Sequence, residues 1–354
     1  MLAYSTENGV FVRRVGEPSA SSLQIPAGVQ PVSLTWARDG QALAWFELDS
    51  GVPARATLAM YDTVSHATSR PELSSEPTSG PVAISSGFAI IDRHGVIRVF
   101  DTAHRMNSSR PQPTEIRVSW PVDVDTDHLP MLLASTRDQL LVAQSSSGAS
   151  AYGGPQDVFL VGLDGSTTKV IEGTNGQAGP LHNLPFGPVA VTPDLSQVAI
   201  TGWSRAERCV EVSDIDAVRL PSGAPVAVPP PPSPPAGSFE KVLSLHYGGG
   251  GDLIASIVDV PTNCADGSLT PHLFELSGQR WHALDQDGRW SARSGLGTLA
   301  VIRSPVAIQH GIVDAFGPGR LEVVASNGSS STIANEVLQA AWDPVTSHVA
   351  VPAP

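Results

Sequence analysis

Short apolar runs, each broken by a tight polar turn, recur along the whole chain. Leu34 to Trp45 read LTWARDGQALAW, Val189 to Ile200 read VAVTPDLSQVAI, and Leu338 to Val349 read LQAAWDPVTSHV. Looser copies start at Leu132 (LLASTRDQLLVA), Val82 (VAISSGFAIID), Leu243 (LSLHYGGGGDLIASIV) and Leu299 (LAVIRSPVAIQHGIV). In each, apolar positions flank a bend of Asp, Gly, Pro or Ser, the signature of a β-hairpin. A third alternating run follows most copies, for example ATLAMYDT from Ala56, GVIRVFDT from Gly95, HLFELSGQ from His272 and RLEVVASNG from Arg320. A fourth, poorer strand then leads outward.

The spacing of the bends sets the architecture. Taking Asp39, Gly87, Asp138, Asp194, Gly250, Ser304 and Asp343 as anchors, the gaps run from 39 to 56 residues. A period near 50 belongs to propeller repeats, and four antiparallel strands make one blade. The reading is all-β: one seven-bladed β-propeller domain over residues 1–354, with four-stranded antiparallel blades. Too little chain follows Asp343 for a whole blade, so the last blade is closed by N- and C-terminal strands. Its inner strands are expected from Leu338 to Val351 and its outer ones from Gly9 to Leu23. Such closure removes an exposed sheet edge.

Thr192-Pro193-Asp194 and Ala37-Arg38-Asp39-Gly40, with Trp342-Asp343-Pro344 more loosely, resemble the blade motif of the TolB-like and WD40-like bacterial propellers. The resemblance implies an architecture, because the motif specifies a turn and not a chemistry. The Trp-Asp dipeptide and Gly-His pair of true WD40 repeats do not recur.

Composition agrees with many short strands. The chain holds 33 Gly and 31 Pro, yet 41% of its residues are hydrophobic, enough for a core. A net charge of −13 disfavours nucleic acid, whose phosphates it repels, and anionic membrane surfaces. No apolar run reaches the roughly 18 residues of a membrane-spanning helix. The opening MLAYSTENGVFVRRV alternates like a strand and shows no secretory leader, which leaves a cytoplasmic protein or one supplied without its leader. Residues 221–237, PSGAPVAVPPPPSPPAG, are expected to form a polyproline rim loop that cannot pair in a sheet. Its two readings are a stiff connector and a docking strand for a proline-recognising module.

Several residues carry candidate chemistry. Cys209 and Cys264 fall at equivalent ends of neighbouring blades, so they are either a disulfide or two free thiols. A disulfide would favour an extracytoplasmic location. Asp123, Asp125 and Asp127 alternate as hard ligands for calcium would. The calcium-loop pattern fails at His128 and Ala134, however, and a solvated acidic loop is the competing account. Asp285 and Asp287 offer a weaker version. His182, His246 and His310 sit in or near inner hairpins of three blades, where a shared site or ordinary packing would both place them. Trp203 and Trp290, the latter beside an outer-strand region, are candidate exposed anchors for a partner, with blade packing as the alternative. Trp36 and Trp342 share one hairpin position and are expected to pack between blades. No nucleophile elbow or phosphate-binding glycine loop is present.

These features point to a monomeric, non-catalytic binding or scaffold propeller without a cofactor, docking a protein or cell-envelope component. Two alternatives stay open. One is a propeller enzyme, a lyase or glycoside hydrolase, with residues gathered at the central channel. The other is an extracytoplasmic sensor domain of a larger envelope protein.

Overall fold

The computed structural model describes the chain except residues 50, 52–54, 86, 103–112, 122–123, 125–128, 136–138, 146–155, 173–187, 193, 195, 207–209, 249–250, 295–296, 310–311, 315–316 and 344–354. Backbone alone is described for residues 145, 156, 202–206, 210–214, 285, 312 and 314. Among the described residues there is no helix, and the strands form seven four-stranded antiparallel sheets and one three-stranded sheet. This is the all-β, seven-bladed β-propeller fold. The chain divides into two compact units, residues 1–149, 157–169 and 339–354, and residues 150–156 and 170–338.

The first unit holds the closing sheet, sheet one, sheet two (Val82–Ile84, Gly87–Ile91, Val96–Asp101 and Thr114–Arg117) and most of sheet three (Met131–Ser135, Gln139–Ser145, Gln156–Gly162 and Thr167–Ile171). Sheet one is Val29–Trp36, Ala42–Asp49, Ala56–Asp62 and Thr68–Ser69, paired in that order. Its second strand is buried on both faces, which explains its apolar run. Ala42, Ala44 and Phe46 pack on Phe88, Ile90 and Phe100 of sheet two. The alternate residues Leu43 and Trp45 pack on Ala3, Val10 and Leu23 of the closing sheet. Sheet two repeats the device, setting Ala89 and Ile91 against Leu140, Val142 and Phe159 of sheet three. The Ala37-Arg38-Asp39-Gly40 bend closes as the sequence predicts. Gln41 N–H donates to Asp39 Oδ1 (2.9 Å), and Gly40 takes the left-handed φ of 67° that the turn needs.

The closing sheet corrects one expectation. It takes one strand from the C-terminal end, Gln339–Trp342, and three from the N-terminal end, Leu2–Thr6, Gly9–Arg13 and Ser21–Leu23. The second C-terminal strand expected up to Val351 falls outside the described residues. Its place beside Gln339–Trp342 belongs to Leu2–Thr6, in register from Leu2↔Trp342 to Ser5↔Gln339. The physical reason is burial: Leu2 and Ala3 are wholly buried, so the opening run makes a better second strand than an edge. Trp36 packs against this sheet, its indole Nε1 donating to Ala341 O (3.1 Å), while Ser33 N–H donates to Gln339 Oε1 (2.6 Å).

The second unit holds sheets four to six. Sheet four is Val189–Val191, Gln197–Ala206, Val210–Arg219 and Pro225–Val226. The last of these corrects the expectation that the proline tract cannot pair. As the outermost strand it needs only one hydrogen-bonding edge, so Val226 faces Ala217 and Pro225 faces Val218. The tract is pinned further on, where Trp281 Nε1 donates to Pro229 O (2.9 Å). Sheet five is Ser238–Tyr247, Leu253–Pro261, His272–Ser277 and Arg280–Asp287. Sheet six is Trp290–Arg293, Leu299–Arg303, Gly319–Val324 and Ser330–Val337.

Sheet six corrects one reading. The bend between its first two strands is not at Ser304 but at Ser294–Gly297, where Gly297 has φ 82° and donates N–H to Ser294 O (2.9 Å). With Gly297 as anchor, the gaps from Gly250 and to Asp343 become 47 and 46 residues, nearly even. Trp290 begins the first strand of this sheet, just after the outer strand Arg280–Asp287 of sheet five, so it borders an outer-strand region as the sequence predicts.

Leu2 is wholly buried in the N-terminal strand of the closing pair. Leu2→Ala is expected to lower the unfolding free energy by about 2–4 kcal/mol, read as a lower urea midpoint with an unchanged slope.

Candidate functional site

In the second unit, one end of the sheets is built up beyond what a blade needs. In sheet four the two middle strands, ten residues each, pair from Gln197↔Arg219 to Ala206↔Val210. The first strand reaches only to Ile200 and the fourth only to Ala217. Residues 201–206 and 210–215 therefore run on as a two-stranded ribbon. In sheet five the first two strands pair from Tyr247↔Leu253 to Ser238↔Pro261, while the third strand stops at His272↔Ile257. The stretch beyond Ile257 again projects as two strands. Both extensions lie at the end where the second strand leads to the third.

The three-stranded sheet grows from that same end. Its strand Gly267–Leu269 is inserted between the second and third strands of sheet five. Its strands Val306–Gln309 and Ile312–Asp314 are inserted at the corresponding place in sheet six. An apolar cluster of Val258, Val260 and Ile308, with Phe239, Leu243 and Leu269, joins this small sheet to the projecting part of sheet five. The extra sheet thus has its own core, which gives the end a fixed shape.

A cavity of about 420 Å³ opens below it, walled by Pro271, Gly288, Ser304 and Pro305 and by Arg303 and Arg320. That volume lies within the usual range for ligand pockets. The two arginines are directly opposite each other in sheet six. Two cations so placed repel, and Glu322 relieves this, because alternation puts it on the same face two residues from Arg320. Its Oε2 accepts from Arg303 Nε (2.6 Å) and its Oε1 from Arg320 Nε (2.7 Å). Arg303 is held further by Asp287 O (3.0 Å) and Gln286 Oε1. Glu322 is buried at 7% side-chain exposure, whereas Arg320 is 53% exposed. The triad keeps one net positive charge on the cavity wall. Asp287, also on the wall, pairs with His272 Nδ1 (2.8 Å).

The residues singled out from sequence are scattered relative to this arrangement. Trp203 lies on the projecting ribbon of sheet four, opposite Ser213. Trp290 is partly buried opposite Ile302. Cys264 is a turn residue with φ 54° just before Gly267, at the built-up end, and Cys209 lies outside the described residues. Asp123, Asp125, Asp127, His182 and His310 also lie outside them. Of the histidines proposed to converge, His246 alone is described. It sits on the first strand of sheet five with Nε2 3.4 Å from Arg293 O. Arg293, in turn, pairs with Glu275. Arg303, Arg320 and Glu322 escaped the sequence reading. Their one local signal is the Arg-x-Glu alternation of Arg320-Leu321-Glu322.

No protein-family profile and no curated protein matches the chain. Solved structures match in fold. The tricorn protease superposes with a TM-score of 0.56 at 10% identity over 94% of this chain, which spans only 33% of that protein. An oligogalacturonate lyase in complex with manganese superposes at 0.54 and 11% identity, over 85% of this chain and 75% of the lyase. The β-propeller domain of the Trilobed protease from Pyrococcus furiosus gives 0.54 and 10%, over 93% and 91%. The likeness is one of fold.

Burial drives the pKa of His246 down to about 4, against the carbonyl of Arg293, which works the other way. The folded protein therefore holds this ring neutral where the unfolded chain, near 6.5, already takes up a proton. Stability on this account is complete above pH 6.5 and falls as pH drops towards 4, by at most about 3 kcal/mol. In urea titrations across that window, His246→Gln is expected to lose clearly less stability than the parent protein. Parallel curves would show that the ring does not titrate in this way.

Proposed function

We propose that the protein is a binding propeller of the TolB-like kind, and that it docks a protein or cell-envelope component on the built-up end of its second unit. The observation carrying this reading is the extra structure itself. Two ribbons and a three-stranded sheet extend past the blades, an arginine-lined cavity opens where the connections to that small sheet leave sheets five and six, and none of this is needed to pair or cover the four-stranded sheets. Connecting segments on a rigid scaffold are where binding function concentrates. Trp203, on the sheet-four ribbon, is the anchor we assign to this face.

A photo-cross-linking residue in place of Trp203 tests the reading in extracts of the protein's own cells. It is expected to give a discrete adduct, and the same residue at Val64, an exposed turn position in the first unit, none. No adduct from position 203, or equal adducts from both, would contradict docking on this face.

We further propose that Cys209 and Cys264 are joined and that the protein works in an oxidising compartment. In support, Cys264 is not a free thiol, and the two positions fall between the second and third strands of sheets four and five. A thiol count on unfolded, unreduced protein is expected to find none, with a monomer on a non-reducing gel. Two thiols per chain would remove both the bridge and the compartment assignment. The second reading, a lyase, draws on the fold likeness to the oligogalacturonate lyase. Manganese-dependent cleavage of an oligogalacturonate by the purified protein would replace binding with catalysis.

A further inference from the structure

We propose that the cavity at Arg303 and Arg320 receives a carboxylate presented by an extended acidic peptide segment, a proposal that deepens the docking reading and rests on it. Glu322 takes one nitrogen of each guanidinium and fixes both in place. Arg303 is occupied at all three of its nitrogens, by Glu322, Asp287 O and Gln286. Arg320 is different. Only its Nε is engaged, and among the described residues its two terminal nitrogens have no partner. A half-exposed guanidinium, aligned by a buried carboxylate and open at its fork, suits a planar carboxylate that can accept two parallel hydrogen bonds.

Two arginines against Glu322 leave one positive charge at the triad, and the other wall carboxylate, Asp287, offsets it while hydrogen-bonded to His272, so recognition rests on the open fork of Arg320 and not on net charge. On a chain of net charge −13, this is a local site that long-range attraction would not serve. It should act through contact in a small, proline-walled space. The peptide is favoured over a free acid by the neighbouring backbone. Gly267–Leu269 is an edge strand of the three-stranded sheet and runs directly into Thr270 and Pro271 on the cavity wall. An extended segment added to such an edge would lie beside the cavity and could place alternate side chains in it.

The test is fluorescence anisotropy at physiological ionic strength, where repulsion from the rest of the acidic chain is screened, with labelled hexapeptides of alternating Glu and Val and of alternating Gln and Val, on the full chain. The Glu peptide is expected to bind about tenfold more tightly than the Gln peptide. Arg320→Ala and Arg320→Lys should both lose about that factor, since lysine keeps the charge but not the fork. Their urea midpoints, expected to match the parent protein, show that they fold. Equal binding of the two peptides, or Glu binding unchanged in Arg320→Ala, would overturn the site. Succinate binding as tightly as the Glu peptide would overturn the peptide and assign a free acid. If Trp203-position adducts form but no Glu preference appears, the cavity proposal fails while docking stands. If both fail, the docking reading fails with it.

Discussion

The antiparallel pairing of Leu2–Thr6 with Gln339–Trp342 is the constraint on which the first unit depends. It joins segments more than 300 residues apart in sequence and turns what would be two unpaired edges into one four-stranded sheet. Its consequences spread through sheet one. Gln339 accepts from the backbone of Ser33 and Leu34 inside a β-bulge, and Ala341 accepts from Trp36. The sheet-one core face built from Leu43 and Trp45 has Ala3 and Val10 to pack on only because the closing sheet is complete.

The sheets share one economy. Within each unit the middle strands are largely apolar and pack on the neighbouring sheets of that unit, so most side chains serve burial and few are spare. Polar groups inside this frame are tied down, as in the pair of Asp92 with Arg98 and the double contact of Arg70 with Glu47. Material that burial does not require then stands out. In the second unit it gathers at one end, as two ribbons, a small sheet with its own core, and the Arg303–Glu322–Arg320 triad. A rigid frame that carries an elaborated end is the usual arrangement for recognition.

How much of this could be read from the chain depended on whether the signal was local. The hairpins around Asp39 and Asp194 were legible because turn chemistry and flanking alternation coincide within a dozen residues. The sixth hairpin was misplaced because Ser304-Pro305 looks like a bend between apolar strands. It opens the inserted strands Val306–Gln309 and Ile312–Asp314, which are as apolar as a blade. The true bend at Ser294–Gly297 follows only a four-residue strand. The three N-terminal strands of the closing sheet were underestimated although the opening run alternates, since alternation does not say which strand it will join. The triad was invisible for a similar reason. Period two places Arg320 and Glu322 on one face, but the register that brings Arg303 opposite is a tertiary fact.

Hydrogen exchange followed strand by strand tests the closing pair most directly. The account predicts that the hydrogen-bonded amides of Leu2–Thr6 and Gln339–Trp342 exchange together, and as slowly as those of the buried strand Ala42–Asp49, because all three open only when the first unit unfolds. Rapid exchange of Gln339–Trp342 while Ala42–Asp49 stays protected would mean that the C-terminal strand is a loose tail, and that the fold is not held by the pairing of its two ends.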